Sequence, residues 1–234
     1  ETLDGLIKHN GPVDEPFHLE SILGKNFFKK KIYLRKNPSL EAQISSISDD
    51  IAYNSHDLED GLNAHLFHLN DLMEIPVLSD IVKKHRTKIK NYNKELIVRQ
   101  IVRETINEMV KDIIINTKKN LLKYKIKNIN DVYKNKNLIV CFSPSMNLFD
   151  LSVKSFLKNR MYYNKNVLKK TNKGKMIIKK LFLIIKKKPN KFIKKDDMLK
   201  KPKERAVCDF IAGMTDRFAI NLYNSTKWIY LKNS

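Results

Sequence analysis

The strongest constraint on how this chain folds is a helical period that recurs over long stretches. Leu40, Ile44, Ile47 and Ile51 follow at spacings of 4, 3 and 4, and Val98, Val102, Ile106, Met109 and Ile113 at 4, 4, 3 and 4. At about 100° per residue each set falls on one narrow stripe, the mark of a helix with a single buried face. Only 6 glycines and 7 prolines punctuate 234 residues, which suits long helices joined by short connections. The expected fold class is therefore all-α.

The segment 39–62, SLEAQISSISDDIAYNSHDLEDGL, organises the rest. Asn37-Pro38-Ser39 is a helix start signal, because Asn or Ser caps the first free N–H groups and Pro is tolerated in the first turn. With the Leu40–Ile51 stripe inward, Asp49 lies about 180° away, and Tyr53 and His56 within about 40° of Asp49. Asp57 follows a step further round. Ala42, Ser45 and Ser46 share this far face and leave room for a second helix or a ligand to approach. The pattern alone admits a solvated acidic face. Against that stand two adjacent aspartates in mid-helix, where Asp competes for backbone hydrogen bonds, and a large ring on a face that ought to be polar throughout.

These residues resemble the signature of the bacterial dGTPase-like deoxynucleoside triphosphate triphosphohydrolases, members of the HD-domain metal-dependent phosphohydrolases. Three further blocks carry the same resemblance in the same order: ETLDGLIKHNGP at 1–12, FLKNRMYYNKNV at 156–167 and RAVCDFIAGMTDRFA at 205–219. The resemblance implies an HD-domain-like helical bundle, of which 1–75 is the C-terminal part of the catalytic core and 76–234 a basic helical region packed on it. It implies that Asp49 is the last metal-ligating aspartate, that Tyr53 packs against the deoxyribose, and that Asp57 lies near the sugar 3′-hydroxyl. It further implies a divalent metal, Mg²⁺ or Mn²⁺, and a deoxynucleoside triphosphate substrate, with a homo-oligomer and single-stranded DNA as further partners. The pair His56-Asp57 spells the superfamily's name but is not its metal-binding pair. By the resemblance, the first metal-binding His and the His-Asp pair lie upstream of Glu1, and none of His9, His18, His56, His65, His68 or His85 sits in a matching motif. The matched part by itself is expected to be inactive.

Other candidates are less specific. Residues 2–9 read as a short helix with Leu3, Leu6 and Ile7 inward. Either Lys8 or His9 reaches a phosphate from its end, or the basic residue there complements the helix dipole. Residues 17–23 suggest another short helix, and Phe27 to Leu34 an aromatic and lysine interleaving that fits either a core or a nucleic-acid contact. A helix is expected to continue over 64–72 with Leu66, Leu69 and Leu72 inward, placing His65 and His68 a turn apart without a third ligand. Arg99 and Arg103, a turn apart on a long helix over 94–122, contact triphosphate, line an oligomer interface or simply face water. The run 138–142 is too short to assign to strand or helix. The last helix is expected over 206–223.

Charge is unevenly spread. Residues 1–80 hold 7 Lys or Arg against 14 Asp or Glu, and residues 81–234 hold 39 against 11. A field of that size attracts polyanions, although the Lys, Ile and Asn bias of the whole sequence gives a plainer account of it. Cys141 and Cys208 make no metal-ligand spacing, no apolar run reaches the roughly 20 residues that cross a bilayer, and the start carries no signal peptide, so a cytoplasmic setting is expected. Two rival functions stand beside the leading one: a non-catalytic helical module that binds nucleic acid or another subunit, and an HD phosphohydrolase that removes one phosphate at a time.

Overall fold

A computed structural model describes residues 2–14, 24, 34–89, 94–199 and 202–231. Among these the regular structure is helical throughout: α1 (Thr2–Ile7), α2 (Leu40–Asn63), α3 (Pro76–Ile89), α4 (Lys94–Lys123), α5 (Ile129–Lys134), α6 (Pro144–Leu157), α7 (Lys165–Lys187), α8 (Lys195–Leu199), α9 (Lys203–Ala212) and α10 (Asp216–Leu231). The expectations for 17–23, His18 and residues 27–33 lie outside the described residues. The chain forms two compact units, Glu1–Met161 and Tyr162–Ser234. Pro76 opens α3, which belongs to the first unit.

In the first unit α4 packs against both α2 and α3, while α1 and α6 lie against α2. The core runs through Ile51, Leu58 and Leu62 of α2, Leu78 and Val82 of α3, Val98, Ile101 and Met109 of α4, and Phe149, Val153 and Leu157 of α6. The long stripe of α4 is buried as expected, with Ile106 only partly so. Glu104 ties α3 to α4. It accepts from Gln100 Nε2 at 3.0 Å and Lys84 Nζ at 3.1 Å, and it lies 2.8 Å from Nε2 of the buried His85. Its carboxyl is held down to about 2 by the Gln100 hydrogen bond first, with burial opposing and Lys84 and His85 assisting.

Several local expectations are corrected. Ile44 is 49% exposed, while Leu40 and Ile47 of the same stripe pack partly buried on the core; α1 and the 139–140 segment meet α2 on its Ala42–Gln43 side instead. In α1, Leu6 is 72% exposed and Leu3 38%, whereas Asp4 and Lys8 are buried; the helix docks through Gly5 on Ala42 and through a charged pair rather than through its leucines. Helix α2 ends at Asn63. The chain then turns through His65, in the left-handed region at φ 54°, to a 3₁₀ turn over Asp71–Glu74. Leu69 and Leu72 are still buried there and Leu66 packs against them, but His65 and His68 no longer share a helix face. Gly61 is buried inside α2 under the Phe67 ring, which leaves no room for a Cβ.

The run 138–142 is neither strand nor helix. Its backbone is satisfied by side chains: Gln43 Oε1 accepts from the N–H groups of Ile139 (2.9 Å) and Val140 (3.0 Å), Asn120 Nδ2 donates to the Ile139 carbonyl (2.9 Å), and Asn116 Nδ2 to the Cys141 carbonyl (2.9 Å). Ser143 then caps α6 and bonds Asp112 of α4 through both its N–H and its hydroxyl.

In the second unit α7 packs on α9 and α10 around Ile177, Leu181, Ile185, Val207 and Ile211. The single last helix expected over 206–223 is two helices. The α9 helix ends at Ala212, where the Gly213 N–H bonds the Asp209 carbonyl, and α10 starts at Asp216. No helix among the described residues is long and apolar enough to cross a membrane.

Candidate functional site

The site is built on α2. Ser39 accepts from the Ala42 N–H at 3.3 Å and fixes where the helix begins. Gln43, itself buried, donates to the Pro38 carbonyl at 2.9 Å, and Asn37 Nδ2 donates to the carbonyls of Asn135 (2.9 Å) and Asn137 (3.1 Å). With this end held and Ile51, Leu58 and Leu62 in the core, the opposite face looks outward. The Asp49 side chain is 64% exposed and Tyr53 is 66% exposed. Asp57 is half-buried further along the same face.

Two neighbouring helices flank this face. From α6, Asp150 is buried and accepts from Asn54 Nδ2 at 2.9 Å. Lys154 Nζ stands 2.9 Å from Asp150 Oδ2 and 3.2 Å from Oδ2 of Asp50, the residue after Asp49. Burial works against the charge of Lys154, but the hydrogen bonds and charges of Asp150 and Asp50 outweigh it, and its pKa is raised. From the α1 end, His9 Nε2 approaches Asp49 Oδ2 to 3.6 Å, with both side chains partly exposed. Beside them a cleft of about 320 Å³ is lined by Gly5, Leu6, His9, Ser39, Glu41 and Ser45. The small residues Ala42 and Ser45 do admit a helix, α1, as their placement suggested.

The three basic candidates fall in different places. The Lys8 side chain is fully buried; its Nζ lies 2.7 Å from Asp4 Oδ1 and 5.3 Å from the centre of the Tyr133 ring. Arg99 is 67% exposed on α4, with Nε 3.7 Å from Glu59 Oε1. Glu59 lies some ten residues beyond Asp49, about 15 Å along α2 at 1.5 Å per residue. Arg103 is exposed one turn further along α4. The structure thus brings Asp49 and His9 together, with Tyr53 one helical turn on, and leaves Arg99 at the far end of α2.

The sequence reading missed Asp4, Gln43, Asn54, Asp150 and Lys154. The pairs Asp4–Lys8 and Asp150–Lys154 are legible as four-residue helical spacings, but nothing in the sequence says that the first lies beside Tyr133 and the second against Asn54 and Asp50 of α2. Two donors, Asp49 and His9, are too few for a metal centre, and among the described residues no three His, Cys, Asp or Glu side chains come together to hold an ion. A catalytic metal does not fit these residues alone.

Known proteins resemble this chain along almost its whole length. Residues 140–225 match a family described as a phosphohydrolase-associated domain. Over 222 residues the chain is 53% identical to a deoxyguanosinetriphosphate triphosphohydrolase-like protein of Pelagibacter ubique, covering 95% of this chain and 60% of that protein. A protein of the same name from Bartonella tribocorum is 33% identical over 233 residues, covering 96% and 58%, and one from Rickettsia typhi 36% identical over 229 residues, covering 96% and 59%. The chain spans about three fifths of the length of the curated relatives it matches. Along almost its whole length the chain is similar to the C-terminal portion of deoxyguanosinetriphosphate triphosphohydrolase-like proteins.

Proposed function

We propose that the protein containing this chain hydrolyses a deoxynucleoside triphosphate, with dGTP the first candidate, to deoxynucleoside and intact triphosphate. The observation that carries this reading is the α2 face, where an exposed carboxylate and an exposed phenol ring stand one helical turn apart. Asp49 supplies one ligand to a divalent metal, Mg²⁺ or Mn²⁺, whose remaining ligands come from outside the described residues. Tyr53 offers a flat wall for the sugar. A ribose 2′-hydroxyl would press on that wall, which favours deoxynucleotides. Asp57 accepts a hydrogen bond from the 3′-hydroxyl. Burial of Ile51 and Leu58 behind these residues and the Asn54–Asp150 hydrogen bond keep the face rigid, and a site held on a helix backed by a packed core needs little reorganisation when substrate arrives.

The strongly basic residues after position 80 give the non-catalytic reading, binding to single-stranded DNA or another polyanion, its one support. That binding would weaken steeply with salt and need neither metal nor nucleotide. It is compatible with the enzymatic reading rather than exclusive of it.

The test is product analysis on the complete natural protein with each deoxynucleoside triphosphate and Mg²⁺ or Mn²⁺, beside an Asp49→Ala control. The expected result is one triphosphate per deoxynucleoside, with kcat/KM down about 1000-fold or more in the control, since a lost metal ligand removes several kcal/mol of stabilisation. Orthophosphate as product would instead indicate stepwise phosphate removal.

A further inference from the structure

Lys8 and His9 are adjacent in sequence, and the structure buries the first and leaves the second exposed. Lys8 turns inward, its side chain wholly inaccessible, to pair with the buried Asp4 beneath the Tyr133 ring. The pair's angles fall short of a hydrogen bond, so the contact is coulombic, and Asp4 Oδ2 has no hydrogen-bond partner. A buried charge cannot leave its counter-charge cheaply. Lys8 therefore anchors the chain just past the end of α1, and the next side chain is left outside the core. It faces Asp49, and the Gly5–Ala42 contact sets how closely α1 approaches α2.

The 3.6 Å between His9 Nε2 and Asp49 Oδ2 is longer than a hydrogen bond. The imidazole thus stands beside the carboxylate without being consumed by it, and it lines the cleft itself. We propose that His9 is a substrate-contacting residue of the Asp49 site, donating a hydrogen bond from Nε2 to an oxygen of the nucleotide's phosphate chain, and that the buried Asp4–Lys8 pair is the positioning element that aims it. This rests on the reading of the α2 face as a nucleotide site. It assigns the phosphate contact to the exposed neighbour of Lys8 and gives Lys8 a structural task.

The experiment uses the complete natural protein as wild type, His9→Ala, His9→Gln and Asp49→Ala. Three quantities are read: steady-state KM and kcat for the deoxynucleotide found to be substrate, calorimetric affinity for inorganic triphosphate, and metal content with thermal midpoint. A hydrogen bond to a charged phosphate is strong enough that His9→Ala should weaken triphosphate binding and raise KM about 10–100-fold. Metal content and midpoint should stay at wild-type values, and His9→Gln, which keeps an N–H donor, should recover part of the loss. Unchanged triphosphate affinity and KM in His9→Ala, beside an inactive Asp49→Ala, would overturn the role of His9 and leave the nucleotide site standing. Loss of metal together with activity in both His9 variants would also overturn it, because His9 would then act on the ion rather than on substrate. A wild-type protein that releases no triphosphate from any deoxynucleotide would remove the reading on which the proposal rests.

Discussion

Single residues in this protein matter most where a charge is buried or half-buried beside a fixed partner. Glu104 is the clearest case, since its carboxylate holds Gln100, Lys84 and His85 at once and so pins α4 to α3. Its folded pKa, about 2 against an ordinary 4.5, is depressed. The stabilisation is therefore complete above the unfolded value and is lost as pH falls through the folded one. Glu104→Gln should lower stability to urea at pH 7 by about 1.5–3 kcal/mol, the range for a hydrogen-bonded charge. The gap between the two proteins should persist to about pH 5 and close between pH 4.5 and 2; a gap that stays constant across that window would mean the carboxylate's charge contributes nothing. Lys8 follows the same rule of pairing: a side chain that reads in sequence as a surface cation is wholly buried just past the end of α1, beside Asp4.

At the level of elements, the notable arrangement is the segment 138–142, an irregular stretch whose hydrogen bonds come from side chains of two helices instead of a neighbouring strand. Gln43 alone serves two of its buried N–H groups. Gln43→Leu keeps the volume and leaves both donors unpaired, each costing roughly 1–3 kcal/mol. The variant should lose about 2 kcal/mol or more in urea unfolding, and the Ile139 and Val140 amides should exchange hydrogen faster than the rest of the first unit. Wild-type protection at those two amides would show that the segment is held by its apolar side chains alone. The same clamp sets the N-terminal turns of α2, so an element with no chemistry of its own determines where Asp49 stands.

At the level of the whole molecule, each of the two units carries its own core, around Leu78, Ile101 and Leu157 in the first and Leu181, Ile185 and Val207 in the second. Leu181→Ala, at a side chain with no exposure, should cost about 2–5 kcal/mol through the cavity it leaves. Faster hydrogen exchange is expected in α7, α9 and α10 and not in α2, α3 or α4; equal loss in both sets would mean one cooperative unit. Much of this organisation was legible in the sequence. The 3.6-residue period fixes the all-α class and the buried stripe of α4, because a regular apolar spacing has only one way to reach a core. Ser39 fixes the start of α2, because a cap acts within one turn. The order of Asp49, Tyr53 and Asp57 on a common face follows from helix geometry alone. What the tertiary structure decided is everything that depends on a neighbour distant in sequence: that Ile44 turns outward and Gln43 inward, that α1 docks through a glycine and a charged pair, that Lys8 is hidden and His9 meets Asp49, and that Lys154 reaches back to Asp50. Local spacing determines which side chains share a face. Only packing determines what that face meets, since burial and pairing are properties of two surfaces and a sequence pattern describes one.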